Sequence, residues 1–321
     1  MGNLIVAVLG SLGYGNALGK KGTSTDITLY DLKKGEDIVT FIEPTRYPDR
    51  LAPLFYSASA AKKAILVVEE LNASFGECAV MLQCCGVRSG YVVLRNYLSR
   101  EKVEPLLKGT GLDKFEIVED NPVFLREQLL AEAARQTPSA TETDAYGTVA
   151  VDHAFNVKGV GTVALGMVRS GTIGKHDEMR VLPGEKTAQV RSIQKHDDDF
   201  ERAWVGDRVG LALKNVEVED LERGAVLTTD PSIRVAKELT TQVSLVKYWQ
   251  MPLKPDMVVH IGNWMQFVPC KVEAVSDDSG SRKPLLTLSL EKPLVHFQRD
   301  RAVLTYLEGG KLRVAGTAEL S

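Results

Sequence analysis

Along residues 1–136, short runs of Val, Ile and Leu alternate with stretches whose apolar residues recur every three or four positions. The runs at residues 4–9, 37–42, 64–69, 90–94 and 115–118 predict strands, and the stretches at 48–63, 75–85, 99–108 and 122–134 predict helices. Short connections between such elements imply a mainly parallel sheet with helices on both faces and ligands at the carboxyl ends of the strands. Residues 137–145 are polar, contain Pro138 and lack periodicity, as a linker does. From Tyr146 the pattern changes to short β-branched runs separated by glycine turns, at 147–151, 161–169 and 188–193, which predicts an antiparallel barrel. A second such set starts at Glu238, after a break at Asp230-Pro231-Ser232. The expected organisation is an α/β domain over 1–136, a linker over 137–145 and barrels over 146–231 and 232–321.

Composition narrows this picture only slightly. With 25% charged residues and a net charge of −3, the chain is not a polybasic nucleic-acid binder, so any RNA contact needs local basic patches. Cys78, Cys84, Cys85 and Cys270 form no CxxC pair and read as structural thiols in a reducing cytoplasm. The opening residues lack a basic region and read as a buried strand rather than a signal peptide. No apolar run approaches the ~18 residues of a spanning helix. A cytoplasmic monomer without membrane or DNA partners is expected.

The stretch Val151-Asp152-His153-Ala154-Phe155-Asn156-Val157-Lys158-Gly159-Val160-Gly161-Thr162-Val163 is followed by Ser170-Gly171-Thr172-Ile173, Val190-Arg191-Ser192-Ile193-Gln194, Gly206-Asp207-Arg208-Val209-Gly210 and Leu221-Glu222-Arg223-Gly224. In this order the motifs resemble the second domain of elongation factor Tu and of its selenocysteine-specific relative SelB. The resemblance implies a multidomain α/β plus all-β chain: a P-loop GTPase-like α/β domain followed by two small antiparallel β-barrels. It is strong in the middle and weaker at both ends. Most of the motif glycines are the ordinary occupants of barrel turns and identify a fold rather than a function.

The same resemblance places a nucleotide site in the first domain. A P-loop, GxxxxGK[ST], wraps phosphates with backbone N–H groups, neutralises them with lysine and holds Mg²⁺ with the hydroxyl. Here Gly10, Gly13 and Gly15 remain, whereas Asn16 and Ala17 stand where lysine and Ser/Thr belong. The Asp-x-x-Gly signature falls on Glu43 to Arg46, and Tyr47 stands where elongation factors carry a histidine. A tyrosine hydroxyl, with its pKa of ~10, is no base at neutral pH. The guanine-reading Asn-Lys-x-Asp is replaced by Arg95, Asn96, Tyr97 and Leu98, and the last signature falls on the acidic Glu119-Asp120-Asn121. These changes together imply a pseudo-GTPase with no cofactor. GTP and Mg²⁺ are expected only if Lys20 or Lys21 rebuilds the loop.

The family's aminoacyl pocket maps onto Asp152, His153, Phe155, Thr162 and Arg208. Arg208 matches the SelB-like choice, whereas His153 departs from the SelB-like arginine. Taken singly, Arg208 also reads as an ion-pair partner of Asp207 or of the 197–199 aspartates, and His153 as a solvated strand edge. Arg169, Lys175, Lys186, Arg191 and Lys195 are candidates for tRNA phosphate contacts, or simply the solvated face of a barrel. Full SelB proteins carry a further mRNA-binding domain, and with residues for only two barrels after the linker the chain is expected to be a factor without that arm. Three readings follow. One is an aminoacyl-tRNA-binding factor with a lost GTP switch, acting with the ribosome on a special tRNA such as the pyrrolysine one. The second is a divergent GTP-binding elongation factor. The third is a scaffold for ribosome or factor.

Overall fold

The computed structural model describes residues 2–136, 145–276 and 282–321, so the expected linker, apart from Ala145, lies outside the described residues. Strand β1 (Asn3–Leu9) has all seven residues buried. A strand covered on both faces must be apolar throughout, as Leu4 to Leu9 is. It pairs in parallel with β4 (Asp37–Glu43) and β5 (Lys63–Val68), and the parallel order continues through β6 (Gly90–Leu94) and β7 (Glu116–Val118). On the other side β4 pairs antiparallel with β3 (Thr28–Lys34), and β3 with β2 (Lys20–Ser24). The sheet order is β2-β3-β4-β1-β5-β6-β7. The β2–β3 pair was absent from the expected strands because Lys20 to Ser24 is a polar, exposed edge without an apolar face.

Five helices flank this sheet: α1 (Gly15–Leu18), α2 (Ala52–Ala60), α3 (Ala73–Cys84), α4 (Arg100–Leu107) and α5 (Pro122–Ala133). Helix α2 is shorter than the expected 48–63. Pro53 occupies its first turn, where a missing N–H costs nothing, and Lys63 already belongs to β5. Asn72 and Asn121 cap α3 and α5 by accepting from the N–H groups of Phe75 and Phe124 at 3.0 and 3.1 Å.

The middle segment contains β8 (Thr148–Val157), β9 (Gly161–Ser170), β10 (Thr172–Gly174), β11 (Glu178–Leu182), β12 (Thr187–Lys195), β13 (Asp198–Phe200), β14 (Arg202–Trp204), β15 (Arg208–Lys214) and β16 (Val226–Thr228). Seven of these form an antiparallel sheet, β11-β16-β8-β9-β15-β12-β13, with a further β11–β12 pairing. The last segment, β17 (Arg234–Leu245), β18 (Val258–Asn263), β19 (Gln266–Ser276), β20 (Leu285–His296), β21 (Arg301–Thr305) and β22 (Val314–Glu319), closes into a six-stranded barrel, as expected.

The three parts pack against one another. Leu51, Leu54 and Phe55 share one hydrophobic cluster with Val259, Ile261 and Val303 of the C-terminal barrel. Gly262 admits the Phe55 ring, since a Cβ there would lie 2.5 Å from Phe55 Cζ. Glu77 of α3 accepts from Arg313 N, Nε and Nη2 at 2.8, 3.1 and 2.6 Å. Toward the middle sheet, Asn3 donates to the buried Asp207 at 2.7 Å, and Asp207 pairs with the fully buried Lys195 at 2.5 Å. Lys195 is therefore a core cation rather than a phosphate contact, its Nζ lying 4.5 and 4.2 Å from the ring centres of Phe200 and Trp204.

Candidate nucleotide nest and interdomain cleft

The loop after β1 keeps the backbone form that its glycines dictate. Gly10 has φ +94°, and a Cβ there would sit 2.1 Å from Val67 O, so only glycine fits. Gly13 also lies in the left-handed region, at φ +85°. The helix that follows is only four residues long. Asn16 and Ala17 are exposed on it, and the Asn16 amide donates back to Gly13 O at 3.0 Å.

The N–H groups of this loop face a side chain of the same protein. Glu43, the last residue of β4, is 2% exposed, and its Oε1 accepts a hydrogen bond from Gly13 N–H. The N–H groups of Tyr14 and Gly15 and the Tyr30 hydroxyl face the same carboxyl group at looser geometry. Successive N–H groups in such a turn form an anion-binding concavity, and here a carboxylate occupies it. Burial raises the Glu43 pKa above the ordinary glutamate value, while these donors act against the rise. Tyr30 closes the loop from the side, because a Cβ on Gly15 would meet its ring at 2.3 Å.

A polar network ties the neighbouring strand ends. Arg95 Nε donates to Asp120 Oδ2 at 2.8 Å and Arg95 Nη1 to Glu69 Oε1 at 3.1 Å, while its guanidinium stacks 5.0 Å over the Tyr14 ring. Tyr14 donates to Asp120 Oδ1 at 2.8 Å, and Ser11 to Glu69 Oε1 at 2.9 Å. Asn96 Nδ2 donates to Glu69 O at 3.2 Å. Leu98 is half-buried against the core cluster, and Tyr97 points entirely into solvent.

Arg46 and Tyr47 face elsewhere. Arg46 is exposed and has no side-chain partner among the described residues. Tyr47 reaches α3, donating to Ser74 O at 3.1 Å, with the Arg313 guanidinium 5.8 Å from its ring centre. Burial raises its pKa far above that of free tyrosine. Tyr47 is thus part of the seam with the C-terminal barrel.

At the seam between the first and middle sheets, Asp152 and His153 meet residues that sequence reasoning overlooked. His153 Nδ1 lies 2.6 Å from Asp152 Oδ1, and Arg208 Nη2 donates to the same oxygen at 3.2 Å. Burial would raise the Asp152 pKa, yet Arg208 and His153 outweigh it and hold the group below its ordinary value. Arg223 grips both Asp26 oxygens at 2.7 and 2.8 Å, lies 3.3 Å from His153 Nε2 and stacks 4.9 Å over Tyr56. Thr25 Oγ1 lies 3.1 Å from His153 Nε2.

Beside this seam is a cleft of about 920 Å³, lined by Asn16, Ala17, Lys20, Lys21, Lys33 and Arg126 from the first part and by Phe155, Val160, Leu165, Gln194, His196 and Arg208 from the middle one. Phe155 and Arg208 therefore share it, whereas Asp152 and His153 sit behind Arg208. Thr162 is not in the cleft: its hydroxyl is buried and donates to Val216 O at 3.0 Å. Lys20 and Lys21 stand in β2, opposite Asp31 and Tyr30, and line the cleft rather than the nest. Lys175, Lys186 and Arg191 are engaged with Glu201, Asp220 and Val160 O, and Arg169 lies 6.0 Å from the centre of the Trp264 ring. The basic cleft was foreseeable only once Lys20 and Lys21 were known to form a strand at its edge.

Comparison with known proteins bears on the fold and on the middle segment. Residues 161–228 match the family model "Elongation factor Tu domain 2". The selenocysteine-specific elongation factor of Methanocaldococcus jannaschii is 32% identical over 196 residues, which cover 56% of this chain and 42% of that protein. The chain thus aligns with less than half the length of that factor. The SelB structure from Methanococcus maripaludis, in complex with the GTP analogue GPPNHP, superposes on 100% of this chain and 79% of its own, with a TM-score of 0.81 at 21% identity, and shows the shared fold. The middle segment is elongation-factor-like, and the chain as a whole shares the fold of the SelB structure. It belongs to the same family as "Uncharacterized protein MJ0325" of M. jannaschii, which is 36% identical over 322 residues and aligned along the full length of both chains.

Proposed function

We propose that this protein binds aminoacyl-tRNA without a nucleotide switch. The observation that carries the reading is Glu43 seated in the glycine loop, beside a basic and partly apolar cleft that stays open. A Mg²⁺-nucleotide does not fit residues 10–17 in this state: the nest N–H groups face a carboxylate, and Asn16 and Ala17 offer neither the ammonium nor the hydroxyl of a P-loop. Arg95 and Asp120 satisfy one another where a purine would need partners.

On this reading the 3′ end of the tRNA enters the cleft, with Phe155 as a stacking or apolar wall and Arg208 as a guanidinium donor held in place by Asp152. Lys20, Lys21 and Arg126 supply attraction to phosphates. We take the chain as three domains, 1–136, 146–231 and 232–321, and read the middle sheet as a second small barrel because β11 pairs with both β16 and β12. Work beside the ribosome in the cytoplasm follows from this reading. The divergent GTPase is less well supported, since Lys20 and Lys21 would have to leave the β2–β3 ladder.

The test is binding of aminoacylated against deacylated tRNA at several salt concentrations, over a panel that includes the pyrrolysine tRNA. The reading expects preference for one aminoacylated species and a negative salt slope. Equal binding of charged and uncharged tRNA, or none, rejects it.

A further inference from the structure

The carboxyl ends of β1, β5, β6 and β7 form adjacent loops, since these strands are neighbours in the sheet. Three of these loops expose one large apolar side chain each, Leu12 at 68%, Leu71 at 38% and Tyr97 at 105% exposure, and beyond the fourth Val123, in the first turn of α5, is 62% exposed. Asn96 and Tyr97 both hold positive φ, 51° and 59°, a conformation that a bulky L-residue rarely adopts. Two successive residues of this kind place the Tyr97 ring wholly outside the protein. The loops beneath are fixed by the Ser11–Glu69–Arg95–Asp120–Tyr14 hydrogen bonds, so this crown is preorganised.

Its charge is one-sided. Loops 10–14, 69–72, 95–99 and 119–123 carry Glu69, Glu70, Glu119 and Asp120 against the single cation Arg95, which is already paired with two of them. An apolar centre with an acidic rim repels nucleic-acid phosphates and a second, equally acidic copy of itself. An exposed, rigid aromatic at such a centre has the character of an interface anchor.

We propose that this crown is a docking surface for a protein whose own surface offers an apolar pocket for Tyr97, rimmed by lysine and arginine. The loops that in a nucleotide-binding protein would surround a ligand here present a face to a basic protein partner, opposite in charge character to the cleft with its lysines. The proposal is independent of whether the cleft takes tRNA.

The experiment places a photo-crosslinking benzoylphenylalanine at position 97 of the full chain in the native host and identifies the adducts by mass spectrometry. The captured protein is then purified, and its affinity measured for wild type, Tyr97→Ala and the double variant Glu70→Lys/Glu119→Lys at low and high salt. All three positions are exposed, and unchanged thermal melts verify that the variants fold. The proposal expects one basic protein, bound at least ten-fold more weakly by each variant and more weakly at high salt. Adducts to RNA, adducts only to a second copy of this chain, no adduct, or an affinity indifferent to these substitutions would each overturn it.

Discussion

Glu43 and Gly13 are joined by a hydrogen bond from the loop N–H to the buried carboxyl group, across the mouth of the loop that follows β1. This contact ties the end of β4 to the start of α1 and fills the concavity from within the protein. Four measurements probe it and the surfaces around it.

The Glu43 contribution to stability depends on pH. Burial raises its folded pKa above the ordinary 4.5, so the group's stabilising contribution is full below that value and declines as pH rises through the folded pKa. Glu43→Gln mimics the protonated form at every pH. The melting temperature of the variant relative to wild type is expected to climb as pH rises above the ordinary 4.5, and a flat or falling difference would refute the assignment.

Glu77 and Arg313 clamp α3 to the C-terminal barrel, with side chains 4% and 18% exposed. Glu77→Ala leaves the guanidinium without its carboxylate and is expected to cost about 3–5 kcal/mol in urea unfolding, with Glu77→Gln costing less. A loss near zero for both would mean that the clamp does not hold the two parts together.

Arg223 plays the corresponding part at the other seam. Burial would raise the Asp26 pKa, but the Arg223 hydrogen bonds and charge prevail and lower it. The stability this adds is present above the ordinary 3.8 and is lost as pH falls through the folded value. Arg223→Ala is expected to cost about 1.5–3 kcal/mol at neutral pH and to show a smaller loss of stability on acidification than wild type. Parallel acid melts of the two proteins measure this.

In the cleft, Phe155 is 42% exposed and Lys20 and Lys21 lie at the open edge. Phe155→Ala is expected to weaken aminoacyl-tRNA binding at least ten-fold, with a stability change within about 0.5 kcal/mol. Lys20→Glu/Lys21→Glu should weaken all tRNAs alike and flatten the plot of log affinity against log salt by about one unit per lost phosphate contact. Unaltered slopes would remove these lysines from the interface.

Much of the architecture was legible because it rests on periodicity. The apolar run of β1 and the alternation of the barrel strands point to burial on two faces and on one face, respectively. The β2–β3 pair was not legible, since an edge strand of lysines is held by backbone hydrogen bonds that leave no apolar signature. At the site, Asn16 and Ala17 were read against a P-loop pattern and Glu43 against the Asp-x-x-Gly signature, two separate motifs of the sequence. Neither motif could reveal that Glu43 turns into the nest, because that depends on a tertiary contact between residues 30 positions apart. The orientation of Thr162 was not legible for a similar reason. On β9 its neighbours alternate faces, and its hydroxyl fell on the side facing Val216 rather than the cleft. Arg223, at the centre of the seam, was seen only as part of a turn motif.

The most direct test of the central claim is the rate at which the aminoacyl ester of a bound tRNA hydrolyses, measured with nucleotide-free protein and again with GTP and Mg²⁺ added. The account predicts marked protection of at least one aminoacyl-tRNA by the nucleotide-free protein, unchanged by GTP. Protection that appears only with GTP, or none with any tRNA tested, would contradict it.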